Sequence, residues 1–232
     1  MAKVEIGIIG AMAPEVEELV ASLKSKKEEK AGGVTFYRGK LGKRKVVIAK
    51  CGVGKVFAAL TAEAMIMKYA PKLIINTGVG GALRSGISVG DVLFADKLVQ
   101  HDMDTSPLGD PKGLISGINK VYFEADVRAK MLVLPIAKEL GAKCHVGTVA
   151  SGDVFVSTSE LKAKIKEDFD ASVCEMEGAA IAHVAYVNST PFCVIRAISD
   201  SADEESTISY DKFLENAAKL SAAITNELCK RY

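Results

Sequence analysis

The sequence predicts a three-layer α/β/α sandwich with a central mixed, twisted sheet, and three observations predict it. Short β-branched runs alternate along the chain with longer segments of helical spacing. The strand candidates read as continuous apolar runs, as expected of a sheet covered on both faces. No Pro/Ser-rich linker or low-complexity block interrupts the 232 residues, 49% of them hydrophobic, so a single domain is expected over residues 1–232.

Val4 to Ile9 is a β-branched run closed by Gly10, and Glu15 to Leu23 then carries Val16, Leu19, Val20 and Leu23 at helical spacing. Phe36 to Arg38 and Lys45 to Lys50 flank the turn residues LGKR, which predicts a hairpin. Gly52 and Gly54 lead into an Ala-rich helix over 56–69, followed by a buried strand from Leu73 to Thr77 and a third from Gly90 in GDVLFADKLV. Residues 125–140 read as a helix, His145 to Ala150 as a strand and 158–167 as an amphipathic helix. An apolar helix from Glu177 to Val187, a strand from Phe192 to Ile198 and a closing helix from Tyr210 to Cys229 complete the pattern.

Composition excludes several classes of function. Thirty Lys plus Arg against 29 Asp plus Glu leave a net charge of +1, so no overall field favours nucleic acid or an anionic membrane. The expected partner is a small molecule. Five cysteines form no CxxC pair and read as reduced, which points to a cytoplasmic protein. MAKVEIGIIG leads into acidic PEVEE without a small-residue cleavage site, so it reads as a first strand and not a signal peptide. No stretch of about 20 apolar residues predicts a membrane span.

In a sheet of this kind ligands sit at the carboxyl ends of strands, which directs attention to the loops after Ile9, Thr77, Ala150 and Ile198. In the first, GIIG is not GxGxxG and no Lys or Arg follows, which argues against a dinucleotide site. Glu15 stands one residue after Pro14 in the first helical turn, where it either stabilises the helix dipole or serves the site. In NTGVGGALRSG the glycines at 78, 80 and 81 permit close backbone approach to a ligand or simply make a tight turn. Phe155 in ASGDVFV offers an aromatic face to a planar base, or packs in the core.

The loop after Ile198 begins with Ser199 and Asp200, and Arg196 is embedded in the strand before it. A buried arginine implies a carboxylate partner, and Glu177 is the candidate. Glu175 and Glu177 straddle Met176 in the otherwise apolar CEMEGAAIAHVAY, where charge is costly unless it is paired. Both can cap the following helix, but Gly178, Ala179 and Ala180 leave its start thin enough for a ligand, and one functional glutamate is favoured over two.

These loops taken together resemble the nucleoside phosphorylase superfamily, most closely its hydrolytic branch, the bacterial 5′-methylthioadenosine/S-adenosylhomocysteine nucleosidases. The matching segments are IGIIGAM, GVGK at 52–55, IINTG at 74–78, VGD at 89–91, SGD at 151–153, EMEGAAIAHV and RAISD. They recur in order over nearly the whole chain. The resemblance implies a nucleoside phosphorylase-like fold, a purine nucleoside substrate, no cofactor or metal, and a homodimer.

By the same resemblance Glu15 matches the base that activates water, Glu177 the carboxylate on the ribose hydroxyls and Asp200 the acid that protonates the purine. Met12 and Met176 match sugar contacts, and Val79 and Gly80 belong to the glycine-rich segment against the substrate. Phe155 matches the base-stacking aromatic, Val156 a position whose backbone reads adenine, and Arg196 and Ser199 residues that support the site. Val53 and Tyr210 match the lining of the 5′ pocket. Two positions depart from the family pattern: Val79 replaces a small hydroxyl residue, and Leu108 stands where an aromatic often reaches over from a neighbouring subunit.

Such chemistry needs an acid at the base and anions near the sugar, because cleavage leaves positive charge on the ribose and electrons on the purine. Asp200 must hold a proton near neutrality, so Arg196 is not its partner. A phosphorylase would need cations for phosphate, and only Lys55 and Arg84 lie near the glycine loops; water is therefore the expected nucleophile. His101, Asp102 and Asp104 superficially resemble a metal site but lack a second histidine at ligand spacing. The rival readings are an aminodeoxyfutalosine-type N-ribosyl hydrolase, a phosphate-dependent phosphorylase and a non-catalytic nucleoside-binding protein.

Overall fold

The first apolar run becomes β1 (Ile6–Gly10), buried along its whole length. In the computed structural model, which describes residues 3–232, β1 lies parallel to β4 (Arg44–Lys50) on one side and β5 (Leu73–Ala82) on the other. Met1 and Ala2 of MAKVEIGIIG lie outside the described residues. The expected hairpin forms between β3 (Val34–Leu41) and β4. Its turn passes through Gly42 at φ +58°, a left-handed conformation suited to glycine.

One edge of the sheet carries a strand that the sequence conceals, β2 (Lys24–Ala31), paired only to β3. KSKKEEKA has charge at nearly every position because both faces of this edge meet solvent, and such charge also blocks edge-to-edge association.

The other half of the sheet consists of β6 (Val92–Gln100), the short β7 (Phe123–Glu124), β8 (Cys144–Ser151), β9 (Ala171–Glu175) and β10 (Phe192–Asp200). The strand order is β10-β6-β8-β9-β5-β1-β4-β3-β2, and β10 pairs with β5 as well. Strands β5, β10, β6, β8 and β9 therefore close into a ring within the central mixed sheet. Parallel pairing joins β6, β8 and β9, whereas β5 meets β9, and β10 meets β6, antiparallel.

Helices cover both faces. Helices α2 (Lys55–Tyr69) and α5 (Gly178–Val187) bury Ala58, Ala62, Met65, Ile181 and Ala185 with Ile74 and Val194 of the sheet. On the opposite face α1 (Ala13–Ala21), α3 (Val127–Glu139) and α6 (Ser206–Arg231) pack Val16, Leu19, Val133, Ile224 and Leu228 against Ile8, Ile75 and Phe94. The last helix, α4 (Ser159–Phe169), adds Ile165 and Phe169 to a smaller cluster with Val99 and Ala150.

Three departures from expectation all concern the site. The glycine-rich segment after Thr77 is not a loop: β5 continues through it to Ala82. ASVCE forms the strand β9 ahead of the apolar helix. Ser199 and Asp200 belong to β10, where the register against β5 shifts between Ile198 and Asp200, with Ile198 opposite Gly80 and Asp200 opposite Gly81. Ser199 is thus the extra residue of a bulge, which re-aims the side chain that follows it.

Candidate active site

Glu15 owes its position to the start of α1. Met12 is the N-cap, and from the third helical position the Glu15 carboxylate folds back, as in a capping box, onto the amides just ahead of the helix. Its Oε2 accepts from Ala11 N at 2.6 Å and Met12 N at 2.9 Å, and its Oε1 accepts from Val79 N at 3.2 Å. The side chain is buried. Burial pushes its pKa up, against the pull of the Arg196 guanidinium and the three backbone donors.

The glycines of β5 are there for space. A Cβ on Gly78 would stand 2.6 Å from Glu15 Oε1 and would collide with the Arg196 guanidinium, and one on Gly81 would stand 2.6 Å from Asp200 Oδ1. Real side chains do not approach so closely, so glycine at these positions lets carboxylates from two other elements lie against the strand.

Both glutamates of CEMEGAA line the cavity, but Glu175 spends its carboxylate on structural partners. Glu175 ends β9 with its side chain turned into the interior. It accepts from the backbone of Glu177 at 3.0 Å and of Gly178 at 2.8 Å, and also from Ser151 Oγ and Arg196 Nη2. Ser151 Oγ in turn accepts from Ala179 N at 2.7 Å. Glu175 is therefore the main partner of Arg196, which corrects the expectation of Glu177. The strand end delivers Glu175 directly beneath the guanidinium, whereas Glu177 lies at 3.8 Å. Arg196 also donates to the side-chain carbonyl of Asn76 and to Val79 O. With 1% of its surface exposed, it lies behind the cavity wall and not on it, a second correction to its expected place.

Glu177 forms the N-cap of α5 and presents its carboxylate to the cavity. Its Oε1 accepts from Gly54 N at 2.8 Å. Burial, aided by the negative charge of Glu175, pushes its pKa up to about 7.

Asp200 Oδ1 accepts from Ala202 N at 2.9 Å and Oδ2 from Ser199 Oγ at 2.8 Å. Burial raises its pKa despite both bonds, and no arginine pairs with it among the described residues.

These three acids line one cavity, whose open space of about 530 Å³ includes solvent at its mouth. Met12, Val53, Val79, Gly80, Phe155, Val156, Met176, Ser199 and Tyr210 complete the wall as far as it was anticipated. Phe155 and Tyr210 meet edge to face, ring centroids 5.5 Å apart, and Tyr210 Oη donates to Met12 Sδ at 3.2 Å. Ala11, Val154 and Cys174 also line it without having been anticipated, as do Glu175 and Gly81, the latter expected only within the glycine run.

The cavity wall contains no Lys or Arg. Lys55 Nζ donates to Asp102 Oδ1 at 2.6 Å, and Arg84 pairs with Asp170. Asp104 accepts from Ser106 N at 2.9 Å. Among the described residues no group of three or more His, Cys, Asp or Glu is placed to hold a metal. Leu108 sits on a short 3₁₀ turn outside the cavity, 83% exposed.

Comparison with known proteins places this geometry in context. The family model described as "Phosphorylase superfamily" matches residues 5–230. The aminodeoxyfutalosine nucleosidase of Campylobacter jejuni is 37% identical over 227 residues, 98% of this chain and 99% of that one. The 5′-methylthioadenosine/S-adenosylhomocysteine nucleosidase of Actinobacillus succinogenes is 38% identical over 218 residues, 94% of each chain. The crystal structure of the 5′-methylthioadenosine/S-adenosylhomocysteine nucleosidase from Neisseria meningitidis, in complex with methylthio-immucillin-A, superposes with a TM-score of 0.95. It is 36% identical and covers 98% of this chain and 99% of that one.

Proposed function

We propose that this chain, which belongs to the phosphorylase superfamily, uses water to cleave the bond between adenine and ribose in 5′-methylthioadenosine and S-adenosylhomocysteine. The observation that carries this reading is the convergence of Glu15, Glu177 and Asp200 on one cavity whose wall has no cation. The names of the relatives from Actinobacillus succinogenes and Neisseria meningitidis supply the substrate class.

In the proposed reaction the C–N bond between ribose and purine breaks with its electron pair going to the base. Protonated Asp200 donates its proton to the purine, so adenine leaves neutral. Glu177 accepts hydrogen bonds from the ribose hydroxyls, and the nearby carboxylates stabilise the positive charge that develops on the sugar. Water adds to the sugar carbon and gives its proton to Glu15. Two acids pass from unlike to exchanged protonation states, and solvent resets them. Phe155 stacks on the base beside the Val156 backbone, Met12 and Met176 contact the sugar, and Val53 and Tyr210 receive the 5′ group.

Electrostatics selects water over phosphate. A phosphate about 4 Å from Glu15 is repelled by roughly 4 kcal/mol at an effective dielectric near 20, a several-hundredfold loss of occupancy. Arg196 cannot offset this from behind the wall, since Glu175 already neutralises it. Pure protein with methylthioadenosine in phosphate-free buffer is expected to release adenine and methylthioribose, at a rate that added phosphate leaves unchanged. Ribose 1-phosphate appearing in proportion to phosphate would overturn the hydrolytic reading. Glu15→Gln and Glu177→Gln are each expected to lose at least about a hundredfold in rate. The Campylobacter jejuni relative is named for another 5′-substituted nucleoside, and competition between methylthioadenosine and aminodeoxyfutalosine measures the preference.

The reading includes a cytoplasmic homodimer that serves methionine salvage. All five cysteines are free, as a reducing compartment allows, and no helix among the described residues is long and apolar enough to cross a membrane. Val56, Phe57 and Leu60 of α2 and Val187 of α5 expose apolar side chains, a surface suited to a second copy of the chain. Light scattering is expected to give twice the chain mass, and a monomer mass refutes the dimer.

A further inference from the structure

The stretch HDMD is not absorbed by the chemistry above, yet Asp102 is the hub of a cluster beside the cavity. Its Oδ1 accepts from Lys55 Nζ at 2.6 Å and its Oδ2 from Asp153 N at 3.0 Å. Asp153 Oδ1 accepts in turn from Lys55 N at 2.7 Å. His101 backs the cluster: its backbone N donates to Ser151 O at 2.9 Å, and its ring lies so close to Gly152 that a Cβ there would not fit. Three turns remote in sequence, after β6, before α2 and after β8, are joined here.

Helix α2 explains what the cluster holds. Its N-cap is Gly54 at φ +101°, it has no side-chain cap of its own, and its first turn contains no acid. Amides at a helix start need acceptors, and carboxylates are favoured there. Other elements supply them: Gly54 N donates to Glu177 and Lys55 N to Asp153. The same short turn is therefore held between a carboxylate of the cavity and the Asp102–Asp153 cluster. Val53 precedes it and Phe155 follows Asp153 by two residues, and both line the cavity.

We propose that Asp102 and Asp153 are positioning residues, which clamp the Gly54 amide against Glu177 and hold the loop that carries Phe155 over the cavity. This rests on the reading of Glu177 and Phe155 as substrate-holding groups. Glu177 faces Arg196 from β10, Glu175 from β9, Glu15 from α1, the Cys51 thiol and the Gly54 amide. Of these, only the Gly54 amide is set by the clamp. Its bond stabilises the ionised carboxylate, so losing it moves Glu177 protonation to higher pH, and the acid limb of kcat/KM moves with it.

Asp153→Ala is expected to raise KM about tenfold, with kcat within about twofold of wild type. The acid limb should shift upward and backbone amides over residues 53–56 should exchange faster. Asp153→Asn retains a side-chain oxygen for Lys55 N and should restore all of these. Wild-type KM, acid limb and exchange in Asp153→Ala would overturn the clamp, as would an Asn variant as impaired as the Ala one. A wild-type protein that releases no adenine sinks the functional reading instead, and the exchange rates then still decide the clamp.

Discussion

Asp200→Asn is expected to lower adenine release by about a thousandfold, in the middle of the range for removal of a general acid, while a tight-binding nucleoside analogue still binds. The variant keeps the shape of the site. The Asn carbonyl can accept from Ala202 N as Asp200 Oδ1 does, and its amide can donate to Ser199 Oγ, reversing the bond at 2.8 Å. What it lacks is a proton to give. The pH profile separates this from a packing effect. Burial raises the Asp200 pKa, so its acid form is present below that value and is lost as pH rises through it. Wild-type activity should accordingly fall on the alkaline side, and the residual activity of the variant should lack that limb. Turnover near the wild-type rate would refute Asp200 as the proton donor.

Arg196→Met is expected to cost about 3–5 kcal/mol, because it leaves carboxylates buried without their counter-ion. Glu175 would lose Arg196 in an interior where its other partners are Ser151 Oγ and two backbone amides. Asn76 would lose the donor to its side-chain carbonyl. For a chain of this size that loss lowers Tm by roughly 10 °C. Adding Glu175→Gln to the Met variant removes the stranded charge and should recover a large part of the loss, measured by thermal melts of both single variants and the double. A single variant that melts within about 2 °C of wild type would show that the ion pair does not hold this part of the core together.

Much of the fold was legible because burial on both sheet faces leaves continuous apolar runs. β1, β4, β6 and β10 announce themselves in this way. Lys24–Ala31 does not, since a solvated edge strand needs no apolar residue, and its pairing to β3 rests on backbone hydrogen bonds and the Arg38–Glu29 ion pair between the two strands. β9 was hidden by its neighbour: ASVCE merges into the apolar run of α5, and only Asp170, in a left-handed conformation, marks the break before it. The glycines at 78, 80 and 81 read as a turn because local propensity cannot see that side chains from other elements need the space. The acids themselves were legible as charges that interrupt apolar sequence. Their partners were not, and the exchange of Glu177 for Glu175 as the main ligand of Arg196 turns on two residues' difference in where a strand stops.

The bulge at Ser199 carries a consequence for how this site tolerates change. Asp200 faces the cavity because one surplus residue offsets the count between two neighbouring strands. Its aim is therefore a property of chain length at a single point and not of any loop's conformation. Exchanging letters around the pocket alters which nucleoside fits, whereas shortening β10 by one residue would rotate the acid out of reach with every catalytic letter still in place.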